Sequence, residues 1–373
     1  MFDNTIFSIT AGMAWLCIIL YTVMVFQLLR NYKTWPFVKY GTRRKEIGLF
    51  LYFLFFAVTY TIDSDFFHYK DVVLTTTEIM PYGFEEFYQN LIIWINNDYL
   101  LFRIIVWGGA LIAYFASTKI FKCNTSIALI LLLVMFGGIF SYARASLAFC
   151  VYYFGLLLLI NALSLNKNRK FLLFVCALGL IISSFWLHRS MALLIAMTPV
   201  VFFKINKKSI IALLILTPLV IYTLQSIFGD ILSLAEFDDV ISRRINDSYY
   251  DRESVDYNWK GRIGQCLHYG LYAVSIYVIS TAVPKLKTIE GTGIVERMFT
   301  YLIVLSYISV TMLVLFDGND IYTHRYLKTT IIPITLSISY LYEKQLISIK
   351  QLNIILLIAI LGRYWGFSKF MFL

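Results

Sequence analysis

Charge is what this chain has least of. Asp, Glu, Lys and Arg make up 14% of its residues, against about 25% in an average soluble domain. Hydrophobic residues reach 60% and mean hydropathy is +0.74. No GxxxxGK or GxGxxG run is present, so no phosphate-cradling loop announces a nucleotide site. The five cysteines, Cys17, Cys123, Cys150, Cys176 and Cys266, show no CxxC spacing. That removes metal-finger and dithiol readings and leaves them as small apolar packing residues. Internal repeats and low-complexity tracts are lacking too. A cleavable signal peptide is not expected, because the first apolar run is too long and has no basic start.

What is present is a series of apolar runs long enough to cross a bilayer, each needing about 20 residues. About twelve are predicted: 6–29, 47–62, 100–117, 125–142, 145–164, 171–187, 190–203, 209–228, 264–283, 298–316, 326–342 and 352–367. Runs 47–62 and 190–203 are short, the second short enough to form a shallow hairpin with its predecessor, and 352–367 carries Arg363. The predicted fold is all-α: a polytopic integral membrane protein, one domain over residues 1–373, with two long loops at 63–99 and 229–262. Pro218 and Pro333 fall inside runs and are expected to kink their helices.

Positive charge sets the orientation. Nineteen of the 32 Lys and Arg fall in alternate short loops, at 30–45, 119–122, 167–170, 204–208, 285–297 and 344–350. Their only acidic company is Glu46, Glu290, Glu296 and Glu343. By the positive-inside rule these loops are cytoplasmic. All four histidines and most of the 22 acids lie on the opposite side. The net charge of +10 is therefore an inner-loop property that needs no nucleic-acid partner. Span interiors carry almost no ionisable groups, whereas carriers and pumps keep some at mid-membrane. The inner loops are also too short for a catalytic domain. This distribution favours a reaction at the outer interface.

The candidate chemistry sits in the outer segments. Asp63-Ser-Asp65-Phe-Phe-His68-Tyr69 opens the first long loop, and its paired carboxylates suit a divalent ion or a general base. A solvated loop start is the plain alternative. Phe84, Phe87, Tyr88, Leu91, Ile92 and Ile95 then follow helical spacing, with Glu85, Glu86, Gln89 and Asn90 on the other face. This predicts a short interfacial helix, a strap or a lid. Arg144 stands almost alone at a sharp turn, where a guanidinium clamps phosphate or snorkels to head groups. His188-Arg189-Ser190 forms the next tight turn, and its imidazole is suited to taking a proton. The second long loop, with Arg243, Arg244, Tyr249, Tyr250, Tyr257, Trp259 and Arg262, suits sugar rings or interfacial anchoring. His268 reads as structural. A second His-Arg pair, His324-Arg325, enters a later span.

Taken in order, Asp63-Ser-Asp-Phe-Phe-His-Tyr69, Arg144-Ala-Ser-Leu-Ala148, Phe185-Trp-Leu-His188-Arg189-Ser190 and Arg325 resemble the EpsG/Wzy-like family of bacterial exopolysaccharide and O-antigen polymerases. The pattern covers about residues 50 to 345. Where that family has Gln after the first Arg, this chain has Ala145, so no Gln role carries over. The resemblance implies a GT-C-like membrane glycosyltransferase of the bacterial inner membrane with its active face periplasmic. It joins oligosaccharide repeat units carried on undecaprenyl pyrophosphate and releases that lipid pyrophosphate. It implies membrane lipid as surroundings, a chain-length regulator and a flippase as further partners, and no cofactor or metal. Arg144, Arg189 and Arg325 would meet the leaving group's charge. His188 is the first choice of base, with His324 or an Asp of the pair Asp63 and Asp65 behind it, and Tyr69 joins the substrate-binding set.

Four other readings compete. A metal-dependent glycosyltransferase using polyprenyl-phosphate sugars rests on Asp63-Ser-Asp65. An O-antigen ligase differs only in its acceptor. A flippase for the same lipid-linked sugar calls for polar groups along a bilayer-deep cavity, which the spans do not offer. A membrane acyltransferase is weaker still, without an HxxxxD signature.

Overall fold

The computed structural model describes residues 15–16, 18–26, 43–60, 64–79, 84–135, 143–163, 167–203, 223, 259–282, 285–286, 293–315 and 327–371. Among these residues the chain is helical throughout, with no strand. In order come α1 (Arg43–Thr59), α2 (Ser64–Thr75), α3 (Glu86–Trp94), α4 (Tyr99–Phe121), α5 (Thr125–Met135), α6 (Ala143–Leu163), α7 (Lys167–Leu187), α8 (Met191–Ala196) with a 3-10 turn at Thr198–Phe202, α9 (Trp259–Ala282), α10 (Gly293–Leu315), α11 (Ile331–Glu343) and α12 (Ile349–Met371). Tyr99–Phe121, Ala143–Leu163 and Lys170–Leu187 are long and apolar enough to cross a membrane. Glu46–Thr59, Thr125–Met135 and Met191–Phe202 are apolar but shorter.

Helix α5 is buried from end to end, and α11 is buried from Ile331 to Leu341. Helix α6 packs along both α4 and α7. The α6–α7 seam depends on Gly155: a Cβ there would lie 3.0 Å from the Ala177 carbonyl oxygen and from Ile181 and Leu180 side-chain atoms. Small residues let helix backbones approach where solvent supplies no hydrophobic drive. The far face of α7 leaves Phe171, Leu172 and Trp186 exposed, a surface suited to lipid.

Two ends of the bundle can be distinguished. At one, Tyr88 meets the Phe102 ring of α4 and donates to the Arg144 carbonyl of α6, while His188 at the end of α7 reaches the same segment. At the other, Lys119 pairs with Glu46 at 2.9 Å, Phe121 packs on Tyr340, and Ser339 donates to the Asn124 carbonyl.

Several predicted boundaries move. The loop 63–99 is largely helical, forming α2 and α3. Helices α9 and α10 begin about a turn earlier than expected and draw Trp259 and Arg262 out of the second long loop, the rest of which lies outside the described residues. The run 352–367 extends to a continuous α12, whose Arg363 bonds the Tyr60 hydroxyl and stacks 4.7 Å from its ring. Run 190–203 forms the short α8, which packs against α7 and α6, and its 3-10 turn. Tyr301 at mid-bundle meets Leu194, and Arg297, near the start of α10, donates to the Val201 carbonyl at 2.7 Å. The short segment therefore runs down the bundle away from His188. Pro333 lies in the first turn of α11, and just before it the Thr330 hydroxyl donates to the Leu327 carbonyl at 2.6 Å. Pro218 lies outside the described residues.

Where helices end or break, side chains serve the exposed carbonyls. The nearly fully buried Arg103 donates to the carbonyls of Ala57, Val58 and Tyr60 at 2.6–2.9 Å, closing the end of α1. Near Pro199, the Leu194 carbonyl accepts from the Tyr152 hydroxyl at 2.6 Å, and Tyr152 also meets Thr198 and Tyr301. Replacing Arg103 by Met keeps the apolar stem and removes the donors, at about 1–3 kcal/mol for each buried carbonyl left bare. Arg103→Met is expected to melt several degrees below wild type in detergent. An unchanged melting curve would show that the cap carries no weight.

Candidate functional site

The site is built where α2, α3, α6 and α7 meet. Its local architecture begins with Asn96-Asn97-Asp98, the turn between α3 and α4. Asn96 and Asn97 take left-handed φ values of 54° and 60°, which Asn tolerates better than most residues. The Asn97 amide then donates to the Val73 and Thr76 carbonyls at 2.6 Å each, fastening the end of α2. Asp98 caps α4 by accepting from the Leu101 N–H at 3.0 Å. These contacts hold α3 across the ends of α4 and α6.

The amphipathic reading of α3 is rotated in the structure. Phe84, Tyr88, Ile92 and Ile95 are buried as expected, but Phe87 is 44% exposed and Gln89 is buried. The Gln89 amide donates to the Phe84 carbonyl. Glu85, expected on the solvent side, turns inward with it. Glu85 holds the N-cap position of α3, yet its carboxylate does not cap the helix. It bridges two other elements instead. Oε2 accepts from Arg144 Nη1 at 2.5 Å, and Oε1 lies 2.6 Å from His188 Nδ1. The carboxylate side chain is 11% exposed, with Arg144 at 17% and His188 at 25%.

Aromatic rings complete the enclosure. The Arg144 guanidinium carbon lies 3.9 Å from the Phe84 ring centroid, 5.1 Å from Tyr69 and 6.0 Å from Tyr88. Tyr69 and Phe84 pack edge to face at 5.1 Å. Arg144 Nε–H is buried and finds no hydrogen-bond acceptor among the described residues. On the other side, the turn after α7 is closed by Met191 N–H donating to the His188 carbonyl at 3.0 Å, and Arg189 points its side chain into an exposed position.

Chemically this is one carboxylate shared by a guanidinium and an imidazole. Burial alone would push the Glu85 carboxyl up. The His188 hydrogen bond and the Arg144 charge outweigh it and hold the group at about 2, below its ordinary 4.5. An ionised Glu85 can only accept, so Nδ1 of a neutral His188 carries its proton and Nε2 keeps a free lone pair. The arrangement offers a proton acceptor and an anion-binding fork side by side.

Among the residues singled out from the sequence, the structure brings Arg144, His188 and Tyr69 together and places Arg189 beside them. Asp65 falls in the first turn of α2, with its side chain outside the described residues, as are Asp63, His324 and Arg325. Glu85, Phe84 and Tyr88 are the members that sequence reasoning did not assign to the site. The signal for Glu85 was Arg144 itself: an isolated cation in an almost uncharged turn calls for an acidic partner from another outer segment.

Comparison with protein-family models, curated proteins and solved structures finds no match to this chain.

A carboxyl held below its unfolded value adds stability that is complete above about pH 4.5 and is lost as pH falls toward about 2. The shift corresponds to about 3 kcal/mol. Thermal melts of wild type and Glu85→Gln are expected to differ most at neutral pH and to converge on acidification through this window. A gap that stays constant with pH would show that Glu85 is not the group responsible.

Proposed function

We propose that this chain is a membrane glycosyltransferase of the polymerase type. In this reading it has about twelve spans and lies in a bacterial inner membrane with the Glu85–Arg144–His188 end facing outward. It joins oligosaccharide repeat units carried on undecaprenyl pyrophosphate. One observation carries the proposal: an imidazole and a guanidinium, far apart in sequence, share a single buried carboxylate at one end of an apolar helical bundle. The resemblance noted in the sequence places its first Arg and its His at these same two positions.

The chemistry follows from the groups present. The acceptor hydroxyl gives its proton to Nε2 of His188 as its oxygen forms a bond to the anomeric carbon. The bond from that carbon to the lipid pyrophosphate breaks, and its electron pair leaves with the pyrophosphate oxygen. Arg144 meets the charge that develops there, and the resemblance adds Arg189 and Arg325 to that role. Tyr69 and the neighbouring rings offer apolar faces to a sugar. The side of the bundle is set by the positive-inside count, which puts the basic loops, including the Lys119–Glu46 end, in the cytoplasm.

A metal-dependent polyprenyl-phosphate-sugar transferase remains the nearest rival, carried by Asp63-Ser-Asp65, and loss of activity on adding a chelator would favour it. A ligase would share the donor and differ in the acceptor. A flippase fits less well, since the ionised cluster lies at one end of the bundle.

The test is the pattern of lipid-linked glycans in cells with and without the protein. A polymerase predicts loss of the ladder with single repeats accumulating on the outer side. Accumulation inside would indicate a flippase, and long chains left on the lipid a ligase. Arg144→Ala is expected to give a folded, inserted protein that makes no polymer. Arg144→Lys should rescue poorly, because an ammonium lacks the planar fork. Normal chain lengths in Arg144→Ala would overturn the assignment.

A further inference from the structure

We infer that Glu85 is a positioning residue that couples occupation of the anion site on Arg144 to proton acceptance by His188. The inference rests on reading the site as a glycan-transfer centre, and it concerns a residue that never touches substrate.

Three observations support it. First, the Glu85 carboxylate spends one oxygen on each partner, with 2.5 Å to Arg144 and 2.6 Å to His188, and does not serve its own helix as a cap. Among the described residues its carboxylate hydrogen-bonds to these two side chains alone. Second, the Arg144 guanidinium carbon lies 3.9 Å from the Phe84 ring centroid, so that ring covers one side of the group while Glu85 holds Nη1. Third, Nε on that guanidinium is a buried donor with no acceptor among the described residues. An incoming pyrophosphate brings several strong acceptor oxygens and more than one negative charge, so it competes well with a single carboxylate for a guanidinium fork.

The consequence is electrostatic. While Arg144 is bound to Glu85, it offsets the charge that Glu85 presents to His188. When the anion takes Arg144, that charge acts on the imidazole alone and favours its protonated form. The groups bearing on His188 are then Glu85 from the start of α3, Arg144 from α6 with the anion beside it, and Arg189 on its own turn. Proton uptake at Nε2 becomes easiest when the leaving group is seated. A base readied in this way does little to water or to a stray hydroxyl while the donor is absent.

The experiment uses the full chain in lipid nanodiscs, geranyl pyrophosphate as the binding probe, and lipid-linked repeat units extracted from cells lacking this protein as substrate. Glu85→Gln keeps the shape but removes the competing charge. It is expected to bind geranyl pyrophosphate roughly 10-fold more tightly and to lower kcat by about 10²-fold, the scale of a general base. Affinity and turnover thus move in opposite senses, which a merely structural residue would not produce. Adding Glu85→Gln to His188→Ala should cost no further kcat, since both act on one step. Weaker binding in Glu85→Gln, or additive losses in the double variant, would overturn the coupling. Should Glu85→Gln not yield monodisperse protein, calorimetry of wild type in buffers of different ionisation heat decides. The coupling predicts proton uptake on binding the probe near neutral pH that is lost in His188→Ala. Equal uptake in both proteins would refute it. Turnover at the wild-type rate in both Arg144→Ala and His188→Ala would sink the glycan-transfer reading itself. Dead Arg144 and His188 variants beside a normal Glu85→Gln would sink the coupling alone.

Discussion

A helix that stops inside an apolar bundle leaves carbonyl oxygens with no water to turn to, and each one left bare costs on the order of a kilocalorie per mole or more. This constraint explains most of the buried polar side chains described above. Arg103 closes α1, Asn97 closes α2, Arg297 reaches Val201, and the Tyr152–Thr198–Tyr301 hydroxyls gather on Leu194 where the short helix breaks. Tyr114 does similar work between helices, donating to the Ala128 carbonyl and meeting the Thr335 hydroxyl. The polar groups of the interior are thus largely committed to the backbone.

The Glu85 cluster departs from that pattern. Its three ionisable side chains are turned on one another, and one of them, Arg144, keeps a buried donor without an acceptor among the described residues. Groups that could have capped helices, such as a carboxylate at an N-cap position, are withheld from that role. Stability alone gives little reason for this, because burying charge is costly even when it is paired. A site that must exchange one ionic partner for another does give a reason.

The all-helical character was legible in the sequence because apolar runs of bilayer length admit few other structures. Arg144 and His188 were legible as isolated polar residues at turns between apolar runs. Their meeting was not, since nothing in the spacing of residues 85, 144 and 188 encodes distance across a bundle. The rotation of α3 was hidden for a related reason. Periodicity assigned Phe87 to the core and Glu85 to solvent, but beside lipid an apolar side chain gains nothing by turning inward, and an acidic one gains a partner. Likewise, α2 within 63–99 was masked by its polar start, and Arg363 made α12 look doubtful until Tyr60 supplied its partner.

Tyr60 has a further implication for how the molecule is assembled. Its backbone oxygen is held by Arg103 from α4, and its ring and hydroxyl receive Arg363 from α12. A lone arginine within a hydrophobic segment disfavours entry into a bilayer by about 2.5–3.5 kcal/mol at mid-depth. The ring that lowers that barrier belongs to a hairpin made some three hundred residues earlier. Synthesis from N- to C-terminus therefore delivers the acceptor before the charge. The late segment meets a docking point made long before it, a direction of assembly that the finished bundle no longer displays.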